Sequence, residues 1–417
     1  MSIGYACLAV GVPESEMKSL TLSKVSEKTL LDTSRINLAH LKNLLIYTTA
    51  NNLKLFRISS DLIPFGSSDA NTLPWWEVFA ENLLELGKLA TESGIRLSMH
   101  PGQYTVLNSP RPEVVTRAIA DLVYHARVLT SMGLGNEHKI VLHIGGAYGD
   151  KVEASKRFVA TYLTLPQGVK DRLILENDDK LFTISEVLAI AREVGCPVVF
   201  DNLHHKINPS KEWLSDLQWI EACAPTWKGK DGKQKIHYAQ QDVRKRPGSH
   251  SPTISLEPFL LFHEALPARD IDIMLEVKDK NISALKCMHA TQGGTVEQLG
   301  EQWLKYKPLV TERDPEKIWK VEDLLKDAAD GQVVSLAFYR LLEKNLSLEV
   351  FRSQAEITAT SIAEKCIQSP AEERRITKRI AEYKQAQIPL EKLKQSIMNM
   401  ANKHRVDEVL TSYYPMM

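Results

Sequence analysis

Cysteine is scarce in this chain. Cys7, Cys196, Cys223, Cys287 and Cys366 are odd in number, far apart and form no CxxC pair. Such a set does not read as a disulfide framework, and a reduced, cytoplasmic compartment is the expectation. Net charge is missing too, because 52 Lys and Arg balance 52 Asp and Glu. A zero total neither indicates nor excludes a nucleic-acid partner, since a local basic patch is sufficient. No apolar run approaches the roughly 18 residues of a membrane span, so no membrane partner is expected. Met1-Ser2-Ile3 leads directly into a strand-like run, which argues against a signal or transit peptide. Internal repeats and low-complexity segments are absent as well.

What is present is the 43% hydrophobic and 25% charged composition of an ordinary globular protein, in 417 residues. That length fits one large domain with an extension, or two domains. The most informative stretch is 173–205. It holds two apolar runs, LIL and PVVF, which end in Glu176-Asn177-Asp178-Asp179 and Asp201-Asn202. The intervening Leu181–Val194 reads as a helix, with Asp178 and Asp179 as its caps. Strand, helix and strand with polar residues only at the strand exits is a βαβ unit with parallel strands.

The same alternation recurs along the chain. Strand-like runs fall at Ile3–Tyr5, Leu53–Ile58, Ile95–Met99, Lys139–Leu142, Gln234–Tyr238 and Ile271–Leu275. Helical patterns fall at Thr33–Asn51, Pro74–Ser93, Pro112–Met132, Lys151–Leu163, Lys211–Ala224 and Leu256–Ala265. Eight such units in about 290 residues predict an α/β fold, a (β/α)8 TIM barrel, with a doubly wound sheet as the alternative. Beyond Lys305 strand-like runs nearly stop and the pattern becomes helical. The expected division is a barrel over 1–304 and an all-α C-terminal extension over 305–417.

The strand exits carry the chemistry. Strand three leads to His100, strand four to His143 and strand five to Glu176. Strand six leads to Asp201, with His204 a short turn later; strand seven contains His237, strand eight leads to Glu276, and His250 lies in the loop after strand seven. Chemistry in parallel α/β folds gathers at the carboxyl ends of the strands. Five histidines and three carboxylates therefore converge on one end of the barrel. Three buried carboxylates together repel and take up protons, whereas divalent cations remove that cost and keep imidazoles neutral. Eight ligands are too many for one open catalytic ion but suit two or three ions around a bridging carboxylate, for which Glu176 is the central candidate. A nitrogen and oxygen donor set without thiolate points to zinc, manganese or iron over copper.

Taken singly, each of these histidines has an ordinary reading as a hydrogen-bonded core or surface residue. The shared strand-end position separates them from His40, His125, His138, His263, His289 and His404, which read as structural, and from His205, which should face away. For Glu176 and Asp201 the ordinary reading is a helix cap or a salt bridge at the barrel rim. Lys235 precedes His237 by two residues and shares its face. Aimed into the cluster, it is either a low-pKa amine or a carbamate; if the register slips by one, both residues face the helices.

A family resemblance adds to these readings. Gly4-Tyr5, FRISSDLIPF (56–65), SMHPGQY (98–104), VLHIGG (141–146), LENDD (175–179), VVFDNLHH (198–205), KIH (235–237) and LEVKDK (275–280) are similar to segments of the ultraviolet-damage endonucleases, over about residues 1–290. The resemblance implies a metal-dependent barrel nuclease that acts on damaged double-stranded DNA. It would nick 5′ of pyrimidine dimers, 6-4 photoproducts and abasic sites, leaving a 3′-hydroxyl and a 5′-phosphate. The implied cofactors are two or three divalent ions, manganese first, with zinc or magnesium as alternatives. It implies that the eight strand-end residues are ligands, that Glu176, Lys235 and His237 are catalytic, that Gln103 and Tyr104 probe the duplex, and that Tyr5 lies by the lesion pocket. Two positions depart from the family: Ser68 and Asp69 stand where a histidine is common, and Ala9 or Val10 where an asparagine is common. Residues after about 305 show no such counterpart.

Two basic clusters flank candidate segments. Lys228 and Lys230, with Lys233 and Trp227, precede strand seven; Arg244, Lys245 and Arg246 precede His250. Charge runs are usually solvated faces, but these are expected to bind phosphates. The helical extension is expected to contact DNA or another protein, and the chain to be a monomer. Two other function classes remain open at this stage. One is a metal-dependent sugar isomerase or epimerase, which needs a closed polar pocket; the other is a non-catalytic damage-binding protein.

Overall fold

The computed structural model describes residues 1–414. Eight short strands form a closed barrel: β1 (Ser2–Ala6), β2 (Leu55–Ile58), β3 (Arg96–Met99), β4 (Lys139–His143), β5 (Leu173–Glu176), β6 (Val198–Asp201), β7 (Lys235–Tyr238) and β8 (Asp272–Leu275). β8 pairs in parallel with β1, Ser2 opposite Asp272 and Gly4 opposite Met274. That closure is the expected (β/α)8 barrel and sets aside the open doubly wound sheet.

The strands carry near-continuous aliphatic runs because helices cover their outer faces and side chains fill the inside. Ala6, Leu55 and Met274 form one buried cluster, and Val141, Ile174 and Val199 another. Charge closes the amino end of the strands. Arg96 Nη1 lies 2.8 Å from Asp272 Oδ2, and Lys139 Nζ lies 2.5 Å from Asp231 Oδ1. Strand termini at the opposite end are left to the candidate ligands.

Several helix limits differ from the expected ones, most of them for a capping reason. The first helix starts at Glu27 because Ser26 and Thr29 bond each other reciprocally. The pattern over Pro74–Ser93 breaks at Phe79, giving Trp75–Val78 and Ala80–Glu92. Ile184–Val194 is capped by Thr183 with Glu186 and closed by Gly195 at φ 70°. Asp178 therefore does not cap that helix; its carboxylate accepts the backbone N–H groups of Lys180 (2.8 Å) and Phe182 (2.9 Å) and shapes the preceding loop. The helix expected over Lys211–Ala224 begins only at Asp216, because Ser215 and Gln218 form its capping box.

The chain divides into two compact units. One comprises residues 1–9, 14–254 and 261–285; the other comprises 10–13, 255–260 and the chain from Lys286 onward. The expected break at 304/305 falls inside a single helix, Val296–Arg313. Residues from Lys286 already belong to the helical unit, where Lys286 pairs with Glu343 (2.5 Å) and the His289 ring bonds the Tyr339 hydroxyl (2.8 Å). The helical unit is all-α, as expected, with Ile318–Lys326, Gln332–Leu346, Arg352–Glu364, Pro370–Lys384 and Leu390–His404 following. Its apolar core encloses the Glu312 carboxylate, whose Oε2 lies 2.7 Å from Lys394 Nζ and 3.6 Å from Arg313 Nη1. Among the described residues all five cysteines are free, and no helix is long and apolar enough to cross a membrane.

Candidate metal centre

The eight strand-end residues meet at the carboxyl end of the barrel. His143, Glu176 and Asp201 are the last residues of β4, β5 and β6, so the parallel register places them side by side; His143 stands opposite Glu176 across the β4–β5 pair. Asp201 also caps the short helix Asn202–Ile207, its Oδ1 accepting the His204 N–H at 2.8 Å, which fixes His204 one turn further on. Glu176 is the hub. Its Oε2 lies 3.0 Å from His100 Nε2 and 3.3 Å from His143 Nε2, and its Oε1 lies 2.6 Å from His237 Nδ1 and 3.7 Å from His204 Nδ1. Glu276 Oε1 lies 3.3 Å from His237 Nδ1, and its Oε2 lies 3.9 Å from His250 Nδ1.

Three triads bring their donor atoms within 4.8 Å of one another: His100, His143 and Glu176; Glu176, His237 and Glu276; and Glu176, Asp201 and His204. Glu176 belongs to all three. The donor chemistry fits divalent cations. Asp201 Oδ2 is buried without a hydrogen-bond partner, a costly condition for a carboxylate oxygen that metal coordination relieves. Two rings are already oriented by backbone carbonyls: His100 Nδ1 donates to Pro101 O (3.0 Å) and His204 Nδ1 to Asn177 O (2.9 Å), which leaves Nε2 of each as the ligand atom.

The protonation pattern reflects crowded charge. Burial raises the Glu176 carboxyl, but the His237 and His143 charges and hydrogen bonds from His100 and His237 outweigh it and hold the group well below its usual range. Burial likewise opposes ionisation of Glu276, and the Arg57 guanidinium overcomes it. Asp201 is pushed up, by burial first and then by Glu176 and Glu276 against the pull of His204. His204 is raised to about 9: burial works against its proton, but Asp201, Glu176 and Glu276 prevail. The surrounding carboxylates thus favour a positive charge at this position, which a bound dication would supply in place of the His204 proton.

Arg57 is a functional residue that the strand-exit argument missed. Its side chain is only 12% exposed and pairs with Glu276, so it holds that candidate ligand in place. An arginine inside an otherwise apolar strand, LFRI, was the available signal. A second support is the link from His125 Nε2 to Ser60 Oγ (2.9 Å) and from Ser60 Oγ to the His100 carbonyl (3.0 Å), which braces the His100 loop. His205 does face away, lying between the Phe200 and Trp219 rings.

A cleft of ≈ 990 Å³ opens beside the centre, with His143, His204, Gln103, Tyr104, Arg117 and Tyr148 on its walls. Ser68 and Asp69, the departing positions, line it too. Gln103 and Tyr104 occupy the apex of a turn closed by Thr105 N–H to Gly102 O at 2.9 Å. The Tyr104 ring lies over Gly102, where a Cβ would come within 2.5 Å of it, so a side chain there would turn this exposed ring aside. Tyr104 is 73% exposed.

Three expectations need correction. Tyr5 points outward from β1: it is fully buried, packs on Phe56 and bonds Thr48 Oγ1 at 2.8 Å, so it cannot reach a lesion. The period of two along a strand puts Gly4 and Ala6, not Tyr5, on the inner face. Lys228 and Lys230 precede β7 and so lie at the amino end of the barrel, away from the ligands. Lys228 Nζ bonds Pro225 O (2.7 Å) and Lys230 Nζ pairs with Asp171 (3.0 Å), the latter just ahead of β5. Lys235 does share the inner face with His237, but it stands level with Asp272, one inward position beneath the ligands. Its amine is buried without a hydrogen-bond partner, and burial, then Arg96, holds it well below its usual range.

Arg244, Lys245 and Arg246 do lie at the ligand end. A bridge between Gln241 and His250, with Asp242 N–H to Ser249 O at 2.7 Å, makes the segment a hairpin-like arm that presents the three cations and seats His250. Asp242 anchors the arm through Lys278 (3.3 Å) and Arg244 (3.5 Å).

Comparison with known proteins agrees with this geometry. Residues 1–307 match the family model described as UV-endonuclease UvdE. A UV DNA damage endonuclease from Clostridium perfringens is 37% identical, over 83% of this chain and 83% of its own. That span exceeds the 307 residues of the family match, so part of the helical unit has a counterpart in this relative. A UV DNA damage endonuclease from Bacillus cereus is 33% identical over 69% of this chain and 94% of its own. Among solved structures, the crystal structure of SacUVDE is 38% identical with a TM-score of 0.66, covering 72% of this chain and 99% of that one. With the barrel, the cluster of histidines and carboxylates at its strand exits and these matches in agreement, this chain belongs to the UV-endonuclease UvdE family.

Proposed function

We propose that this protein is a DNA-repair endonuclease that hydrolyses a phosphodiester immediately 5′ of pyrimidine dimers, 6-4 photoproducts and abasic sites, leaving a 3′-hydroxyl and a 5′-phosphate. The observation that carries this reading is Glu176, the carboxylate common to three donor triads at the mouth of the barrel. His100, His143, Glu176, Asp201, His204, His237, His250 and Glu276 would hold two or three divalent ions, manganese in our assignment. Bound there, the ions supply the positive charge that acidifies an attacking water and stabilises an in-line phosphoryl transition state.

The remaining steps belong to this chain's residues. Glu176 would be shared between the ion positions, and Arg57 keeps Glu276 ionised and held in place. Gln103 and Tyr104 enter the helix where a lesion has weakened stacking; an exposed aromatic beside an amide suits that probing role. The Arg244–Arg246 arm contacts backbone phosphates. Lys235, a layer below, contributes from beneath the ligands rather than at the phosphate. An open cleft with an exposed aromatic at its edge suits a polymer more than a small sugar. The test is nicking of a labelled, ultraviolet-irradiated duplex with manganese. Lesion-dependent cleavage that disappears in Glu176→Gln supports the proposal. Binding without cleavage by the wild-type protein, or no DNA affinity at all, refutes it.

A further inference from the structure

The segment between the helix Asn202–Ile207 and the helix Asp216–Cys223 follows β6, so it stands at the ligand end of the barrel. Sequence periodicity assigned its residues 211–215 to a helix, yet they form an arch. One foot is pinned to the cleft wall: Asn208 Nδ2 donates to Asp178 O at 3.1 Å, and the Ser185 N–H donates to Ser210 Oγ at 3.2 Å. The other foot is Ser215, locked by its capping box with Gln218. At the crown, the Leu214 N–H donates to Glu212 O at 2.9 Å, an i to i+2 closure that turns the chain tightly around Trp213.

Trp213 is 100% exposed. An indole held fully in water by a pinned turn gains nothing for folding, since burying an aromatic of this size is among the most favourable contacts available to a chain. Held at the ligand end of the barrel, it leaves its whole π face free to stack on a partner. Asp178, which anchors the arch, also lines the cleft beside His143 and His204. In the closed order of eight strands, β6 and β7 lie three and four places from β3. Trp213 and the Arg244–Arg246 arm therefore occupy the rim across the barrel mouth from Gln103 and Tyr104.

We infer that Trp213 is a second aromatic contact to the DNA, stacking on a nucleobase across the mouth of the barrel from the one that Tyr104 reaches. This rests on the endonuclease reading. Stacking needs only a π face, so the contact is tolerant of sequence and specific for a base freed from its neighbours. It places aromatic contacts on both sides of the centre and cationic contacts on one, as suits a duplex opened at a lesion. Trp213 is here a positioning residue: it touches substrate away from the scissile phosphate.

The experiment compares wild type, Trp213→Ala and Trp213→Phe in the metal-loaded full chain, on irradiated and undamaged duplexes. Removal of one base–aromatic stack raises KM or Kd by roughly 10-fold or more. Expected for Trp213→Ala are that rise on irradiated duplex, an unchanged kcat and unchanged metal content, with Trp213→Phe recovering most of the affinity. The difference in tryptophan fluorescence between wild type and Trp213→Phe should be quenched by irradiated duplex. Wild-type nicking with an unaltered KM in Trp213→Ala and no such quenching overturns this inference alone. A wild-type protein that neither binds nor nicks the duplex overturns the endonuclease reading and this inference with it.

Discussion

Replacing Glu176 by glutamine should have a different kind of effect from replacing any other ligand. Glu176 serves all three donor triads, whereas His143 serves one. Loss of a group that merely orients a ligand costs a metal site about 10–100-fold in affinity. Loss of a shared anionic ligand should cost each site at least about 100-fold, or roughly 3 kcal/mol per ion. Dialysis against micromolar manganese, followed by elemental analysis, should find wild type with two or three ions per chain. We expect Glu176→Gln to retain almost none and His143→Gln to lose about one. If the ions supply several kcal/mol of transition-state stabilisation, single-turnover nicking by Glu176→Gln falls by roughly 10³-fold or more. Circular dichroism checks that the barrel persists. A Glu176→Gln protein with the wild-type metal complement, or a His143→Gln protein as depleted as Glu176→Gln, would refute the shared-bridge argument.

Other outcomes follow from the same structure. Replacing Arg244, Lys245 and Arg246 with alanine should weaken DNA binding and reduce the slope of log K against log salt by roughly 2–3, whereas Lys228→Ala with Lys230→Ala should change neither; equal effects of both sets would sink the assignment of ends. His138 Nδ1 accepts the Leu97 N–H at 2.9 Å, and burial first lowers the ring to about 4. The unfolded chain, with the ordinary value near 6.5, binds the proton more readily, so stability is full above about pH 6.5 and is lost as pH falls towards 4, by about 3 kcal/mol. Urea titrations at pH 7.5 and 4.5 should show that loss diminished in His138→Gln. In the helical unit, Glu312→Gln removes the buried carboxylate that Lys394 Nζ meets at 2.7 Å and Arg313 Nη1 at 3.6 Å, and a thermal melt should show a loss of about 3–5 kcal/mol.

The sequence by itself determined the barrel and the residues that stand at its strand exits. Short aliphatic runs buried on both faces, alternating with capped helices, specify parallel strands, and parallel strands send every exit to one end. His100, His143, Glu176, Asp201, His204, His237, His250 and Glu276 could therefore be named from their positions along the chain. The helical character of the C-terminal part was equally legible, because it depends on local periodicity. What only the tertiary structure decided was direction and end. Tyr5 faces helix rather than cleft because the pleat reverses side chains at every residue, and no composition signal marks which phase is inward. Lys228 and Lys230 resemble Arg244 and Arg246 in charge, yet they precede a strand instead of following it, and that order alone puts a barrel between them. The roles of Arg57 and Trp213 needed the fold for opposite reasons. One is a largely buried charge whose partner, Glu276, lies 219 residues away; the other sits in a segment whose helical periodicity yields to the capping box at Ser215.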